Sequence, residues 1–273
     1  MECGLVTVDP LPSSDELSAY YEDAFYGQPS SASGTALRFF HGRRAAMVRR
    51  HHSKVRSVLD VGCGDGGFLA HLAQQGVVVT GVETSASGAA RARARIGTVL
   101  EALPTAGAFD VVTAWHVLEH VPAPRPFLTQ LRGLSAEGGI VVVAVPNFDS
   151  LEARLGGDAW FHLDVPRHLH HFSPSSLQRL MRDCGFEIIG IETFSAEYGP
   201  FGFLQTALNL LPIERNALYQ FAKHGRPLSS FKVSTAATTL VAGVVGGVAS
   251  LGATALQAAL GRGNTITVVA RAR

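Results

Sequence analysis

The sequence predicts an α/β protein whose core is a doubly wound, mostly parallel β-sheet. Two observations lead to this prediction. Short apolar runs with the length of buried strands alternate with helical patterns over residues 57–194. Such alternation forms parallel sheets through right-handed crossovers. In addition, 47% of the 273 residues are hydrophobic, so the chain can bury a large core.

The elements follow one another in the order that this sheet requires. The predicted strands are SVLDVG, VVVTGVE, FDVVTAWH, GGIVVVAVPN, the strand after Gly185 and the closing NTITVVARA. A helix around Phe68 to Gln75 follows the first strand. Prolines at 122–126 begin a later helix, which Gly138-Gly139 is expected to end.

The regions on either side of this sheet are predicted to be helical. Residues 1–56 form an N-terminal helical cap, and residues 195–263 form a hydrophobic helical insertion before a last strand at 264–273. Within the insertion, residues 233–260 carry no charge, and Gly246-Gly247 near their middle predicts a helical hairpin. A single membrane crossing would separate the last strand from its sheet. The hairpin is interpreted as a lid over a ligand, a contact in a homodimer, or an anchor in one membrane leaflet.

Composition argues against several classes of protein. The net charge of +1 argues against a nucleic-acid-binding protein. The basic run from Arg38 to Arg56 still leaves RNA or anionic lipid headgroups open as alternatives to a solvated helix face. Three distant cysteines without a C-x-x-C pair, and a start without a secretion signal, are typical of a reduced cytoplasmic protein. We expect a cytoplasmic location, with peripheral attachment to the inner face of the membrane as one role of the apolar insertion.

A glycine-rich turn follows the first strand. Its sequence, VLDVGCGDGGF, satisfies the G-x-G-x-x-G spacing of dinucleotide-binding loops and also the D-x-G-x-G-x-G pattern of loops that hold S-adenosylmethionine. Asp60 favours the second ligand, because a carboxylate there would repel a pyrophosphate and attract the sulfonium and ammonium groups of S-adenosylmethionine. Glu83, at the end of the next strand, suits ribose hydroxyls in either case. The turn therefore predicts a methyl-donor site.

Together with GVETS, FDVVTAWHVLEHVPAPRPFL and GGIVVVAVPN, this turn resembles the class I S-adenosylmethionine-dependent methyltransferases. The resemblance is nearest to the bacterial group that includes quinone-biosynthesis O-methyltransferases. It implies a Rossmann-like donor-binding domain over residues 57–194 and a last strand that runs antiparallel to the others. It also implies that the donor is contacted by Asp60, Gly62, Cys63, Gly64, Glu83, Thr84, Ala114, Trp115 and His116.

Candidate catalytic residues lie in two segments. His116 follows the strand FDVVTAWH and would serve as a general base if the acceptor must lose a proton; a packing histidine is the alternative. The segment 158–172 contains four histidines and a carboxylate, namely His162, His168, His170, His171 and Asp164. No metal is expected there, because the spacing matches no helical H-x-x-x-H pair and Arg167 would place a cation beside the ion. Arg167 and His168 are instead expected to contact the acceptor from a loop that folds over it.

These observations predict an S-adenosylmethionine-dependent methyltransferase for a small, lipophilic acceptor, with transfer to oxygen. The preference for oxygen follows from the family resemblance alone. Transfer to sulfur or nitrogen is the first alternative. The second is a non-catalytic protein that keeps the cofactor fold and acts as a membrane-docked binding partner.

Overall fold

The computed structural model describes residues 4–13, 16–17 and 34–272. Its β-strands are β1 (Val6–Thr7), β2 (Ser57–Val61), β3 (Val78–Val82), β4 (Val99–Leu100), β5 (Phe109–Trp115), β6 (Ser135–Pro146), β7 (His170–His171), β8 (Phe186–Glu192) and β9 (Thr265–Ala272). Seven of them form one sheet in the order β4-β3-β2-β5-β6-β9-β8. The other two, β1 and β7, form a separate antiparallel pair.

The large sheet is parallel except for β9, which runs antiparallel to β6 and to β8. The predicted doubly wound sheet and its antiparallel last strand are therefore confirmed. Successive residues of β6 belong to opposite core layers: Ile140 and Val142 pack on one face, and Val141 and Val143 on the other. Helices cover both faces, which is why these strands are continuous apolar runs.

The α-helices are α1 (Gly34–His51), α2 (Gly67–Ala73), α3 (Ala86–Ile96), α4 (Pro124–Leu134), α5 (Leu151–Gly156), α6 (Pro174–Asp183), α7 (Gly199–Asn209), α8 (Ala217–His224) and α9 (Val233–Ala259). Short 3-10 turns lie at Leu118–His120, Gly157–Ala159, Phe161–Leu163 and Leu228–Ser230. The helix α4 ends at Leu134, so the prediction that Gly138-Gly139 ends it is wrong. Both glycines instead lie inside β6, near a register irregularity opposite β5.

The N-terminal region is only partly the predicted helical cap. The helix α1 packs on α2 at the edge of the donor turn. Val6–Thr7, however, form a strand that pairs with His170–His171, so residues 1–56 are not helical throughout. Residues 18–33 lie outside the described residues.

The predicted hairpin in residues 233–260 is wrong, because α9 continues through Gly246-Gly247 and bends by 58° between Val233–Gly243 and Val245–Ala259. Packing explains why the glycines do not reverse the chain. A Cβ on Gly246 would lie 2.6 Å from Leu204 Cδ1, so this glycine lets α9 approach α7 closely.

Within the described residues, no single helix is long and apolar enough to cross a membrane, while the two arms of α9 together pass the same test of length and composition.

Candidate active site

The donor turn begins at the carboxyl end of β2, where the strand order reverses. The strand β2 pairs with β3 on one side and with β5 on the other, and ligands of doubly wound sheets bind at such a crevice. Asp60 is buried there, and its Oδ1 accepts a hydrogen bond from Thr113 Oγ1 on β5 at 2.6 Å. Burial raises the pKa of Asp60 to about 7. A cation beside this carboxyl group would favour its ionised form.

In the donor turn, glycine residues expose backbone atoms without side chains. Gly62 has a φ of 71°, and a Cβ on it would lie 2.5 Å from Val117 Cγ2. Gly64 has a φ of 58°, again in the region that favours glycine. Cys63 between them is buried, and burial raises the pKa of its thiol to about 12, so it packs and does not act as a nucleophile.

Glu83 follows β3 and holds the turn from the other side. Its Oε2 accepts a hydrogen bond from the Gly64 backbone N–H at 2.9 Å, and its Oε1 accepts one from Ser85 at 2.8 Å. Each carboxylate oxygen keeps a second lone pair for a ligand hydroxyl. Thr84, the next residue, is exposed. That Glu83 binds ribose stays a prediction.

These groups fit S-adenosylmethionine. The turn offers backbone without side chains, a buried carboxyl group at Asp60 for a cationic ligand, and a second carboxylate at Glu83 with remaining acceptor capacity. A pyrophosphate would meet both acidic groups, so the donor set disfavours a dinucleotide.

At the end of β5, Trp115 and His116 follow the buried residue Ala114. The Arg44 guanidinium carbon lies 4.9 Å from the centre of the Trp115 ring. Arg44 also donates a hydrogen bond to Glu197 Oε2 at 2.7 Å. The helix α1 thereby closes over the end of β5.

A cavity of about 500 Å³ opens beside Trp115 and His116. One part of its lining is aromatic, and the other carries histidine, acidic and basic side chains. The histidine, acidic and basic residues next to the end of β5 and in the segment 158–172 are His116, Glu119, His120, Asp164, Arg167 and His168. The structure thus brings the three predicted catalytic residues to one cavity.

Hydrogen bonds fix the polar side chains that reach this cavity from the segment 158–172. Arg167 donates two of them to Asp164 Oδ1, at 3.2 and 2.6 Å. His168 Nδ1 lies 2.7 Å from the backbone oxygen of His162. A carbonyl oxygen only accepts, so Nδ1 of His168 is the protonated ring nitrogen and the lone pair of the neutral ring is on Nε2.

His116 faces the cavity in an uncommon backbone conformation. Its φ of 55° is rare outside glycine, and such geometry is concentrated at functional sites. Its Nδ1 lies 3.3 Å from Glu119 Oε1. Burial lowers the pKa of His116 to about 3, so the ring is neutral at pH 7 and a weak base on its own. The role of His116 as general base stays a prediction.

Three residues of this site were not predicted from the sequence. Glu119 follows β5 by four residues, and a carboxylate so near the end of a central strand was a signal that could have identified it. Arg44 lies in a basic run whose members could not be told apart by sequence. The ring centre of Tyr198 lies 4.1 Å from that of His116, but Tyr198 belongs to a distant part of the chain and no motif marks it.

Comparison with known proteins gives consistent results. A family model described as a methyltransferase domain matches residues 36–191. A ubiquinone biosynthesis O-methyltransferase of Methylococcus capsulatus is 32% identical over 169 residues, which are 55% of this chain and 71% of that protein. Its counterpart in Chromobacterium violaceum is 30% identical over 200 residues, which are 64% of this chain and 84% of that protein.

A crystal structure of a SAM-dependent methyltransferase from Archaeoglobus fulgidus has the same fold. It is 19% identical in sequence and superposes with a TM-score of 0.54, over 93% of this chain and 98% of that one.

Proposed function

The chain belongs to the methyltransferase domain family and is an S-adenosylmethionine-dependent enzyme, and from this premise we propose that it methylates a hydroxyl oxygen of a small, lipophilic acceptor. The acceptor would bind in the cavity of about 500 Å³ beside His116. The observation that carries the proposal is the lining of this cavity, which is aromatic in one part and polar in the other.

The aromatic part is formed by three rings. The centre of the Phe161 ring lies 5.6 Å from that of Phe201 and 5.2 Å from that of Tyr219. The polar part, around His116 and Glu119, adjoins the end of β5. These two environments suit an acceptor with a planar apolar body and a hydroxyl group at one end.

S-adenosylmethionine, when bound, supplies a methyl group on a positively charged sulfur. The acceptor loses its hydroxyl proton, the oxygen–carbon bond forms as the carbon–sulfur bond breaks, and the electron pair of that bond stays on sulfur. Much of the rate can come from alignment of acceptor and donor. His116 would receive the proton at Nε2, since its Nδ1 faces Glu119 Oε1 at 3.3 Å. Arg167 and His168 would hold the acceptor in place.

The names of the similar proteins support the proposal that the methyl group is transferred to oxygen. They also support the proposal that this oxygen belongs to a lipophilic ring compound. Both curated relatives described above are named ubiquinone biosynthesis O-methyltransferases. A quinone precursor combines a planar ring, a hydroxyl and an apolar tail, and it would present all three to the lining described here.

The exposed surface of α9 supports the proposal that the enzyme takes its acceptor from a membrane. Its outward side chains are apolar: Leu240, Val241, Val245, Val248, Leu251 and Leu256 are all 55% or more exposed. Lys232 directly precedes the helix and Arg262 follows it, and both are exposed. Apolar side chains flanked by cations suit an anionic lipid surface. We therefore propose that the enzyme attaches to the inner face of the cytoplasmic membrane.

The experiment that tests this proposal uses methyl-labelled S-adenosylmethionine with extracts of host membranes and, separately, with the soluble fraction. We expect a labelled product from the membrane extract, identified by mass spectrometry as a methyl ether of a lipophilic compound. With that acceptor, Phe201→Ala should raise KM about tenfold, because the acceptor loses one aromatic contact.

The matched control is Phe39→Ala, which truncates a 58% exposed ring on α1 and should leave KM unchanged. Label that appears only in polar compounds of the soluble fraction would overturn the lipophilic acceptor. A methylated amine or thiol would overturn transfer to oxygen. Absence of any product, with donor binding intact, would favour a non-catalytic binding protein.

A further inference from the structure

We propose that Glu152 and Thr206 are positioning residues that hold one wall of the acceptor cavity and so set the affinity for the acceptor. The acceptor wall consists of Phe161 and His162, which both line the cavity. Glu152 lies on α5 and Thr206 on α7, and they are only 1% and 4% exposed. Neither is among the described residues that line the cavity. The inference rests on the proposed function, which makes this cavity the acceptor site.

Two hydrogen bonds in series join α5 to the acceptor wall. Thr206 Oγ1 donates to Glu152 Oε1 at 2.9 Å, and it accepts a hydrogen bond from the backbone N–H of Phe161 at 3.0 Å. One hydroxyl group can do both, because it has one proton and two lone pairs. The carboxyl group of Glu152 thereby fixes the backbone of the residue whose ring would contact the acceptor.

The same carboxyl group lies close to His162, the second residue of the acceptor wall. A Cβ on Gly202 of α7 would lie 3.2 Å from Glu152 Oε1 and 2.6 Å from His162 Nε2. Both side chains therefore approach the backbone of α7 at a point where no side chain intervenes. Burial lowers the pKa of His162 to about 3, so its ring is neutral at pH 7 and brings no charge to Glu152.

A carboxyl group is an unfavourable choice for this place if its role is stability alone. A buried carboxylate loses its hydration, whereas a neutral amide could accept the same hydrogen bond without that penalty. Burial raises the pKa of Glu152 to about 7, although Thr206 and the indole N–H of Trp160 oppose the rise. Within the described residues, Glu152 Oε2 and Trp160 Nε1 complete no hydrogen bond. Groups that change charge near neutral pH are concentrated at functional sites.

The surroundings of Glu152 leave its ionisation free of a charged neighbour. The elements that pack most closely on α5 are α7 and the two 3-10 turns that follow α5. The helix α7 has no ionisable side chain, and the turns contribute neutral His162 and Asp158. Asp158 and, on α5 itself, Arg154 are exposed and form ion pairs with other residues.

Ionisation of Glu152 should strengthen its hold on the acceptor wall. A carboxylate accepts a stronger hydrogen bond from the Thr206 hydroxyl than a neutral carboxyl group does. The carboxylate form dominates above pH 7 and the neutral form below it. The acceptor should therefore bind more tightly above pH 7 than below it.

The experiment measures the apparent KM for a lipid extract of host membranes, added in increasing amounts at saturating methyl-labelled S-adenosylmethionine. Thr206→Val keeps the shape of the side chain and removes the hydroxyl, so KM should rise about tenfold with little change in kcat. Thr206→Ser keeps the hydroxyl and should restore KM. The matched control is Thr254→Val, which removes a buried hydroxyl whose hydrogen bond stays inside α9 and should leave KM unchanged.

The pH profile separates positioning from a purely structural role. In the unmodified chain, KM should fall about fivefold between about pH 6 and about pH 8, and in Glu152→Gln, which cannot ionise, this fall should disappear. A purely structural role predicts lower melting temperatures in Thr206→Val and Glu152→Gln with KM unchanged in the folded protein. That result, or a pH profile retained in Glu152→Gln, would overturn the inference.

A second readout needs no acceptor. The chain has two tryptophans, so Trp115→Phe leaves Trp160 as the reporter beside Glu152. Its fluorescence should change across pH 7, and adding Glu152→Gln should abolish the change. If this titration is seen but nothing in the extract is methylated, the proposed function fails while the contact of Glu152 with the acceptor wall stands. If a methyl ether forms with the same KM in Thr206→Val as in the unmodified chain, the proposed function stands and this inference fails.

Discussion

The strand β6 and the helix α9 are both apolar in sequence, yet they use their apolar side chains in opposite ways. In β6, the residues from Ile140 to Val145 are at most 1% exposed. In α9, the long apolar side chains face outward: Val248 is 77% exposed and Val241 is 63% exposed. The buried side chains that the structure describes on α9 are polar, namely Thr235, Thr239, Ser250, Thr254 and Gln257.

The difference shows that apolar side chains have two structural roles in this chain. The sheet is covered on both faces, so apolar side chains in β6 stabilise the fold itself. The helix α9 packs its small and polar side on α7, and its apolar side is exposed in the part of the chain that the structure describes. Contiguous exposed apolar surface of this kind marks an interaction with another molecule or with a membrane. The same amino-acid type therefore supports folding in one region and, we infer, membrane attachment in the other.

Matched substitutions in β6 and α9 distinguish these two roles, and they give the largest expected difference in unfolding free energy. Val143→Asp in β6 should prevent folding, because a buried, unpaired carboxylate costs more than about 4 kcal/mol of unfolding free energy. Val248→Asp in α9 should change the unfolding free energy by less than about 0.5 kcal/mol, since the side chain is already in water. Circular dichroism during thermal unfolding measures both variants.

The second readout of this pair is vesicle binding. Co-sedimentation with phosphatidylglycerol vesicles should fall more than about tenfold in Val248→Asp, since one apolar contact is replaced by a charge that anionic lipid repels. Unchanged vesicle binding, together with loss of a dimer on size-exclusion chromatography, would assign this surface to a second copy of the chain. A large loss of stability in Val248→Asp would show that its exposed face is buried after all.

A pH titration of donor binding tests the role of a buried group in the sheet, the carboxyl group of Asp60 on β2. Burial raises the pKa of Asp60 to about 7, so the carboxyl group is largely protonated at pH 5.5 and about half ionised at pH 7. The ionised form is the one that attracts a cation. Affinity for S-adenosylmethionine should therefore rise about tenfold over this range, which stays below the pKa of the donor's own α-amino group.

Stability should respond to pH with the opposite sign. A carboxyl group whose pKa is raised on folding stabilises the folded state of the unliganded chain least above pH 7, where it must ionise in a buried site without the cationic donor beside it. The thermal shift caused by the donor should therefore grow with pH. Asp60→Asn should remove the pH dependence of donor affinity measured by calorimetry, whereas Val248→Asp should retain it. A profile that stays the same in Asp60→Asn would assign the titration to another group.

The sequence was sufficient for the sheet because its signals are local. Apolar runs, the prolines before α4 and the glycines after β2 each act within a few residues. It failed where packing over long distances decided the outcome. Gly246-Gly247 predicted a reversal, but contact with Leu204 keeps α9 helical through the pair. Gly138-Gly139 predicted the end of a helix, but pairing with β5 extends β6 across them.

The site was predictable to the same degree. The strand ends gave Asp60, Glu83 and His116, because residues at the carboxyl ends of parallel strands meet at one edge. The contacts of Arg44 with Trp115 and of Tyr198 with His116 join segments that are more than 70 residues apart. No spacing rule connects such segments. Their roles emerge only from the folded arrangement.

The smallest expected effect tests how α9 buries the hydroxyl group of Thr254. Thr254 Oγ1 donates a hydrogen bond to the backbone oxygen of Ser250, one turn earlier in the same helix, at 2.7 Å. Within the described residues, the hydroxyl thus makes its hydrogen bond inside its own helix, while its Oγ1 and Cγ2 both lie where they would contact a Cβ on Gly199 of α7. Thr254→Val keeps both γ positions and replaces only the hydroxyl, so the unfolding free energy should change by less than about 1 kcal/mol. Chemical denaturation measures this change, and Thr254→Leu, which adds volume against α7, is the destabilising comparison. A loss above 2 kcal/mol in Thr254→Val, on the scale of an unsatisfied buried group, would mean that the hydroxyl has a partner on another element and that the polar side of α9 is a specific interface.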